Sequence, residues 1–182
     1  RFDALNCGPA ITVSRGAGEA LSASYSANEQ WATVLGTRGF ISGRNKWEVR
    51  VEASATSYLF VGVATRHADL ATFLGGDEHS WGYIGDRALY HKRAKVKAYG
   101  ERFGHGDVIG VTLDLDRGTL AFSKNGLELG VAFDGLCLAH RGALYPAVAF
   151  YNHGQRATLV PGAMVCPGAG DAVADAPAER GR

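Results

Sequence analysis

Asp114 and Asp116 are the two residues of this sequence whose type and spacing could support acid–base chemistry. If both lie on one strand, they share a face about 6.5–7 Å apart. That separation would suit the two carboxylates of an inverting glycosidase. They also adjoin a predicted turn at Asp116-Arg117-Gly118, where exposed Asp residues are common, and no third polar partner follows in register. We therefore interpret the pair as a solvent-facing feature beside a turn.

Other motifs for catalysis, metal binding or phosphate binding are incomplete. Cys137 and His140 form a single C-x-x-H pair, whereas a structural zinc site needs four ligands. The sequence has no G-x-S-x-G turn, the motif that carries a nucleophilic serine. Gly16-Ala17-Gly18 lacks the third glycine of a dinucleotide-binding loop. We predict no catalytic residues, no metal and no cofactor.

A basic segment spans residues 87–102, with Tyr90, His91 and Tyr99 among its cations. Basic residues interleaved with aromatic ones can bind single-stranded nucleic acid or an acidic peptide. The net charge of the chain is only +1, and Asp77, Glu78 and Asp86 lie nearby in the sequence. We therefore favour a solvated surface and do not expect nucleic acid binding. The cations are Arg87, Lys92, Arg93, Lys95, Lys97 and Arg102.

Gly106–Gly126 is the segment whose structure the sequence predicts most clearly. Val111, Leu113 and Leu115 alternate with polar residues, which is the period of a half-buried strand. Asn125-Gly126 then supplies both positive-φ positions of a type I′ hairpin turn. The segment predicts neighbouring antiparallel strands.

Similar period-2 segments recur along the chain, which predicts an all-β fold with two antiparallel sheets packed as a β-sandwich. The nearly continuous apolar run Tyr58–Ala64 predicts a strand covered on both faces. Ala68–Leu74 could form a helix of at most two turns, and the fold should hold no more than one or two short helices. The other predicted strands are Ile11–Val13, Trp31–Leu35, Trp47–Ala53, Trp81–Ile84, Ala147–Tyr151 and Arg156–Val160.

Chain length and composition indicate one domain of ordinary size. The 182 residues are 46% hydrophobic, and no apolar run is long enough to cross a bilayer. We assign residues 1–166 to the domain and residues 167–182, rich in Gly, Ala and Pro, to a disordered tail or linker. Three unevenly spaced cysteines favour a reducing compartment, the cytoplasm or the nucleus.

Aromatic residues are the main candidates for a binding surface. Trp47 lies in a regular alternating strand and is expected in the core. Trp81 and Tyr83 share one strand face directly after the polar loop Gly75–Ser80. We therefore predict that these two form part of an exposed aromatic rim.

The order of these motifs resembles the SPRY domain, the core of the B30.2 family, over about residues 5–160. The resemblance implies a bent sandwich of the concanavalin A type without enzymatic activity. It also implies a protein or peptide ligand held by loops at one end, often within ubiquitin ligases, where such domains select the substrate. We expect the isolated domain to be monomeric. The matching motifs are Gly43–Val49, Val61–Thr65, Ser80–Tyr83, Gly106–Val111 with Asn125-Gly126, and Leu144–Val148.

The resemblance also suggests binding positions. Thr65, Leu70 and Asn152 stand where family members that bind a short peptide have contacting residues, and the last two differ in type from the family's Tyr and Trp. A lectin-like carbohydrate-binding sandwich remains the alternative, because lectins share this general fold. The full set of predicted binding residues is Tyr25, Asn28, Thr65, Arg66, Leu70, Phe73, Trp81, Tyr83, Tyr151, Asn152 and His153.

Overall fold

The computed structural model describes residues 1–15, 21–136 and 142–160, together with the backbone of Ala172–Val173. Most of the predicted tail therefore lies outside the described residues. The strands are β1 (Phe2–Cys7), β2 (Ile11–Arg15), β3 (Leu21–Tyr25), β4 (Ala32–Gly36), β5 (Gly39–Phe40), β6 (Arg44–Ala53), β7 (Leu59–Ala64), β8 (Ser80–Ile84), β9 (Ala88–His91), β10 (Ala94–Ala98), β11 (Val108–Asp114), β12 (Thr119–Lys124), β13 (Leu127–Phe133), β14 (Tyr145–Phe150), β15 (Arg156–Val160) and β16 (Ala172–Val173).

The strands form two seven-stranded antiparallel sheets, as the alternating segments predict. The first sheet has the order β1-β4-β14-β7-β8-β9-β10 and the second the order β13-β12-β11-β6-β15-β3-β2. Strands β5 and β16 pair in a small third sheet. The two-sheet sandwich predicted from the sequence is confirmed.

The hairpin signal in Gly106–Gly126 is confirmed in detail. Asn125 and Gly126 have φ values of 50° and 86°, and β12 continues into β13 through this two-residue turn. Strand β11 ends at Asp114, however, and residues 115–118 form the preceding turn. Asp116 is therefore not on the strand, and the predicted shared strand face of Asp114 and Asp116 does not form.

The main core lies between the two sheets. Alternate residues of β7, Leu59, Val61 and Val63, face this core, while Phe60 and Ala64 belong to a second buried cluster. Trp47 is 2% exposed and stacks on Phe40 with ring centroids 5.7 Å apart. The prediction of Trp47 as a core residue is confirmed, and β7 is covered on both faces as expected.

The loop between β7 and β8, residues 65–79, covers the outer face of the first sheet. Leu70 and Leu74 are buried there against Phe60 and other strand residues of the second cluster. Gly62 and Gly82 lie directly opposite each other on β7 and β8. A Cβ atom on Gly82 would meet the Leu74 carbonyl oxygen and lie 2.7 Å from Cδ1 of Phe60. Two facing glycines thus create the flat site on which the loop lies.

The helix considered over Ala68–Leu74 does not form, because the loop backbone bonds to the sheet and to a carboxylate instead. The Leu70 carbonyl accepts a bond from the Thr33 amide at 2.9 Å, and the Thr72 carbonyl accepts one from the Thr33 hydroxyl at 2.8 Å. The Asp77 carboxylate accepts bonds from the amides of Asp69 and His79 at 2.7 and 2.9 Å. Tertiary contacts therefore override the local helical pattern.

We predict that Gly82→Ala destabilises the fold by about 1–3 kcal/mol, because the added methyl group overpacks the contact between loop and sheet. Gly104→Ala is the matched control: its Cβ atom would have one neighbour within 4 Å, the Thr56 carbonyl oxygen at 3.4 Å. The control should stay within about 0.5 kcal/mol of wild type. Urea unfolding of both variants measures the difference, and equal stabilities would contradict the close approach.

Candidate functional site

A partly exposed aromatic group lies at the end of the first sheet where β14 ends and β7 begins. Tyr151 packs on Trp31 with ring centroids 4.7 Å apart and on Tyr58 at 5.9 Å. Tyr58 is 46% exposed, whereas Trp31 is half-buried. Trp31 rests in turn on Phe60 and Phe73, at 5.0 and 6.0 Å. Tyr151 therefore packs on an aromatic group of which Phe60 is buried and Trp31 and Phe73 are half-buried, and Tyr58 packs on Tyr151.

Polar side chains from three loops meet beside these rings. Asn28 Oδ1 accepts bonds from the Asn152 side-chain amide and from the His153 backbone amide, each at 3.2 Å. Asn152 Oδ1 accepts the Thr56 hydroxyl at 2.6 Å. We call the group Asn28, Trp31, Thr56, Tyr58, Tyr151 and Asn152 the end surface.

Gln155 holds the end surface together from below. Its side chain is 1% exposed, and Oε1 accepts the backbone amides of Tyr151 and Asn152 at 2.7 and 2.9 Å. Its Nε2 donates to the Ser54 hydroxyl and to the Tyr58 carbonyl, both at 2.9 Å. Because a Gln side chain has two donors and a carbonyl with two acceptor positions, every position is used. The loop with Tyr151 is thereby fixed against the loop with Tyr58.

Tyr25 supports the same loops but is not available to a ligand. It is 3% exposed and stacks on Phe150, and burial raises the pKa of its phenol. Its hydroxyl donates to the Gln30 carbonyl at 2.5 Å, and Glu29 donates its amide to the Tyr151 carbonyl at 2.9 Å. Tyr25 therefore positions the segment that presents Asn28.

The structure does not bring all predicted residues into one site. Thr65 and Arg66 follow the far end of β7, which by strand rise is about 20 Å from Tyr58. Thr65 is buried, with its hydroxyl accepting the His67 amide at 3.2 Å, and the Arg66 guanidinium lies 5.3 Å from the centre of the Tyr145 ring. Asn28, Tyr151, Asn152 and the exposed His153 do lie together.

Leu70 and Phe73 belong to the part of the covering loop that returns toward the end surface. Leu70 is only 7% exposed and packs onto the sheet. Phe73 stacks on Phe60 at 5.6 Å and contacts Trp31. Leu70 therefore supports the surface from within, whereas the half-buried Phe73 packs against Trp31 at its border.

The expected exposed rim of Trp81 and Tyr83 is wrong, because both side chains point into the core between the sheets. Trp81 is 3% exposed and stacks on His91 at 4.6 Å. Tyr83 is fully buried, donates its hydroxyl to the Glu101 carbonyl, and has a pKa raised to about 12 mainly by burial. The polar loop before β8 covers the opposite face of the strand. Its polar composition therefore does not indicate whether the Trp81 and Tyr83 rings are exposed.

The acid–base and metal candidates have no site geometry in the described residues. Asp114 accepts the Arg117 amide at 3.0 Å and Asp116 accepts the Gly43 amide at 3.1 Å, so each carboxylate bonds turn backbone. No group of three or more potential metal ligands occurs in the described part of the chain, and Cys137 and His140 lie outside it. The described residues also include no helix long and apolar enough to span a membrane.

Sequence reasoning missed Tyr58, Trp31, Thr56 and Gln155 as parts of this surface. Tyr58 begins an apolar run, and this hides the fact that it precedes the strand and is exposed. Gln155 carries no local signal, since its role depends on partners about a hundred residues away. The pairing of β14 with both β7 and β4 brings these segments together.

We predict that Gln155→Leu lowers the free energy of unfolding by about 1–3 kcal/mol, because buried partners lose their hydrogen bonds. The same substitution at the exposed Gln30 is the control and should change stability by less than about 0.5 kcal/mol. Hydrogen exchange of the Tyr151 and Asn152 amides should accelerate in Gln155→Leu alone. Unchanged protection of these two amides would show that Gln155 does not hold the loop.

A cleft beside the end surface is lined by more polar residues than the aromatic rings are. This cleft of about 350 Å³ is lined by Ser54–Ser57, Arg102–His105 and Asp107. Thr56 belongs to both the cleft and the end surface, so the two are continuous. Arg102 is paired with Asp86 at 3.0 Å on this side of the molecule.

A family model and several relatives of known sequence agree on the family to which this chain is similar. The family model described as "SPRY domain" matches residues 44–163. "F-box/SPRY domain-containing protein 1" of Xenopus laevis is 34% identical over 133 residues, which are 67% of this chain and 46% of that protein. "Dual specificity protein kinase splA" of Dictyostelium discoideum is 31% identical over 123 residues, 68% of this chain but 5% of the kinase. The chain thus spans less than half the length of these relatives.

A solved structure has the same fold. The SPRY domain of human HERC1 superimposes with a TM-score of 0.74 at 23% identity, covering 87% of this chain and 96% of that one. This likeness supports the two-sheet architecture described above. Because the family model also covers well over half of the chain, the chain belongs to the SPRY domain family.

Proposed function

We propose that this SPRY domain is a non-catalytic protein-interaction module and that its end surface binds an extended peptide or an exposed segment of a partner protein. The observation that carries the proposal is the pair of accessible rings, Tyr58 and Tyr151, which pack on each other beside fixed amide groups, with Tyr151 also packed on Trp31. Interface hot spots are rich in Tyr and Trp because large rings bury much apolar area at little entropic cost.

The amide groups supply the polar half of such a contact. Asn28 is exposed, and its Oδ1 accepts both bonds that fix it, so its amide nitrogen faces no partner among the described residues. A peptide carbonyl would satisfy that donor. The neighbouring cleft could hold a polar side chain of the same peptide, while an apolar side chain packs on Tyr151.

Rigidity favours binding at this surface. Hydrogen bonds of Gln155 and Tyr25 fix the loops before any ligand arrives. A ligand therefore does not have to order them, which reduces the entropic cost of association.

The larger context is proposed from the relatives. The F-box/SPRY relatives and the SPRY domain of human HERC1 support a role in substrate or partner recognition within a larger protein such as a ubiquitin ligase. The kinase relative contains a similar stretch within a much longer protein. We further propose that the isolated domain is monomeric and that the protein works in the cytoplasm or nucleus. Within the described residues, Cys7 is a free thiol, and burial raises its pKa.

We predict that Tyr151→Ala weakens peptide binding at least about tenfold, because the ring is the centre of the contact. Peptides selected from a random library on the wild-type domain provide the ligand, and titration calorimetry measures the affinity. Leu127→Ala is the matched control, since Leu127 is a 56% exposed apolar residue on β13 of the second sheet.

The control should bind as wild type does, and thermal unfolding should show both variants folded. Failure of the folded wild-type domain to select any peptide, or equal binding by Tyr151→Ala, would overturn the proposed site. For the ligase role, partners captured by wild type but not by Tyr151→Ala should accumulate when the parent gene is deleted. Unchanged levels of all such partners would contradict it.

A further inference from the structure

The free edge of the first sheet has features that the end surface does not explain. Strand β10 is the last strand in the order, and among the described residues it pairs only with β9. All five of its residues, Ala94–Ala98, are exposed. Its outer edge therefore presents backbone N–H and C=O groups that another extended chain can pair with.

The edge is strongly basic. Lys95 and Lys97 lie on β10, and Lys92 and Arg93 form the turn that precedes it. None of these four makes an ion pair within the described part of the chain. Among the described residues, none of the three acidic neighbours pairs with the four cations of this edge. Asp77 binds loop amides, Asp86 pairs with Arg102 of the same basic segment at 3.0 Å, and Glu78 lies 3.5 Å from His79.

The turn between β9 and β10 has charged residues at two positions whose backbone conformation favours Asn and Gly. Lys92 and Arg93 have φ values of 51° and 66°, which residues with a Cβ atom rarely adopt. The comparable two-residue turn between β12 and β13 has the favoured residues Asn125 and Gly126. Strained backbone that persists in a fold points to a role for the residues that cause it.

The aromatic residues of this segment argue against nucleic acid. Tyr90 packs edge-on against Phe60 at 5.4 Å, and His91 stacks on Trp81 at 4.6 Å. Tyr99 donates its hydroxyl to the Gly130 carbonyl at 2.6 Å. These rings are engaged with the protein and offer no platform on which bases could stack.

We propose that β10 and the Lys92–Arg93 turn form a second docking surface, which adds an acidic, extended peptide segment of a partner as a further strand of the first sheet. Lysines on a sheet edge repel a second copy of the same edge and attract a strand of opposite charge. Val96, which is 52% exposed in the bulge of β10, adds an apolar contact.

The test uses a synthetic peptide of alternating Glu and Val, measured by titration and by hydrogen exchange. The peptide should protect amides of β10 from exchange. Lys95→Thr with Lys97→Thr should weaken binding about tenfold and reduce its salt dependence. Lys46→Thr with Arg50→Thr, on β6 of the second sheet, is the charge-matched control and should bind as wild type does.

A second variant separates the charge of the turn from its backbone. Lys92→Asn with Arg93→Gly should raise the melting temperature and still weaken peptide binding. Three results would each overturn the proposal: equal binding of a proline-interrupted peptide of the same charge, equal binding of an oligothymidine of the same charge, or no protection of β10. A dimer that buries β10 in sedimentation and exchange experiments would also overturn it.

Discussion

The side-chain amide of Gln155 is the interaction on which the geometry of the end surface depends. It is 1% exposed and joins the loop of Tyr151 to the loop of Tyr58 through four hydrogen bonds. A buried amide that loses a partner costs free energy, so neither loop can move away cheaply. The rings above it are therefore held in one arrangement, which is what a binding surface made of loops requires.

A second constraint acts from the other side of the first sheet. Gly62 and Gly82 face each other across β7 and β8, and the covering loop reaches the sheet backbone there. The same loop places Phe73 against Trp31, and Trp31 supports Tyr151. The loop that packs on the face of the sheet therefore also supports the rings at the end of the sheet. This contact links the fold to the proposed function.

The architecture could be predicted from local patterns because it is encoded locally. Asn125-Gly126 specifies its turn through backbone conformation, and alternation specifies which side of a strand is buried. The site depended on facts that local patterns do not contain. Trp81 and Tyr83 alternate as any strand does, but only the position of the covering loop decides that their face is the core. Equally, the length of β7 separates Thr65 from the end surface.

We propose that the end surface is where this domain binds its protein ligand. Amide chemical-shift mapping of the domain with a selected peptide reports residue by residue whether binding occurs there. We expect the largest shifts to cluster at Asn28, Tyr58, Tyr151 and Asn152 and in the bordering cleft. Shifts confined to Thr65 and Arg66 at the opposite end of β7, or to the outer face of the second sheet, would contradict it.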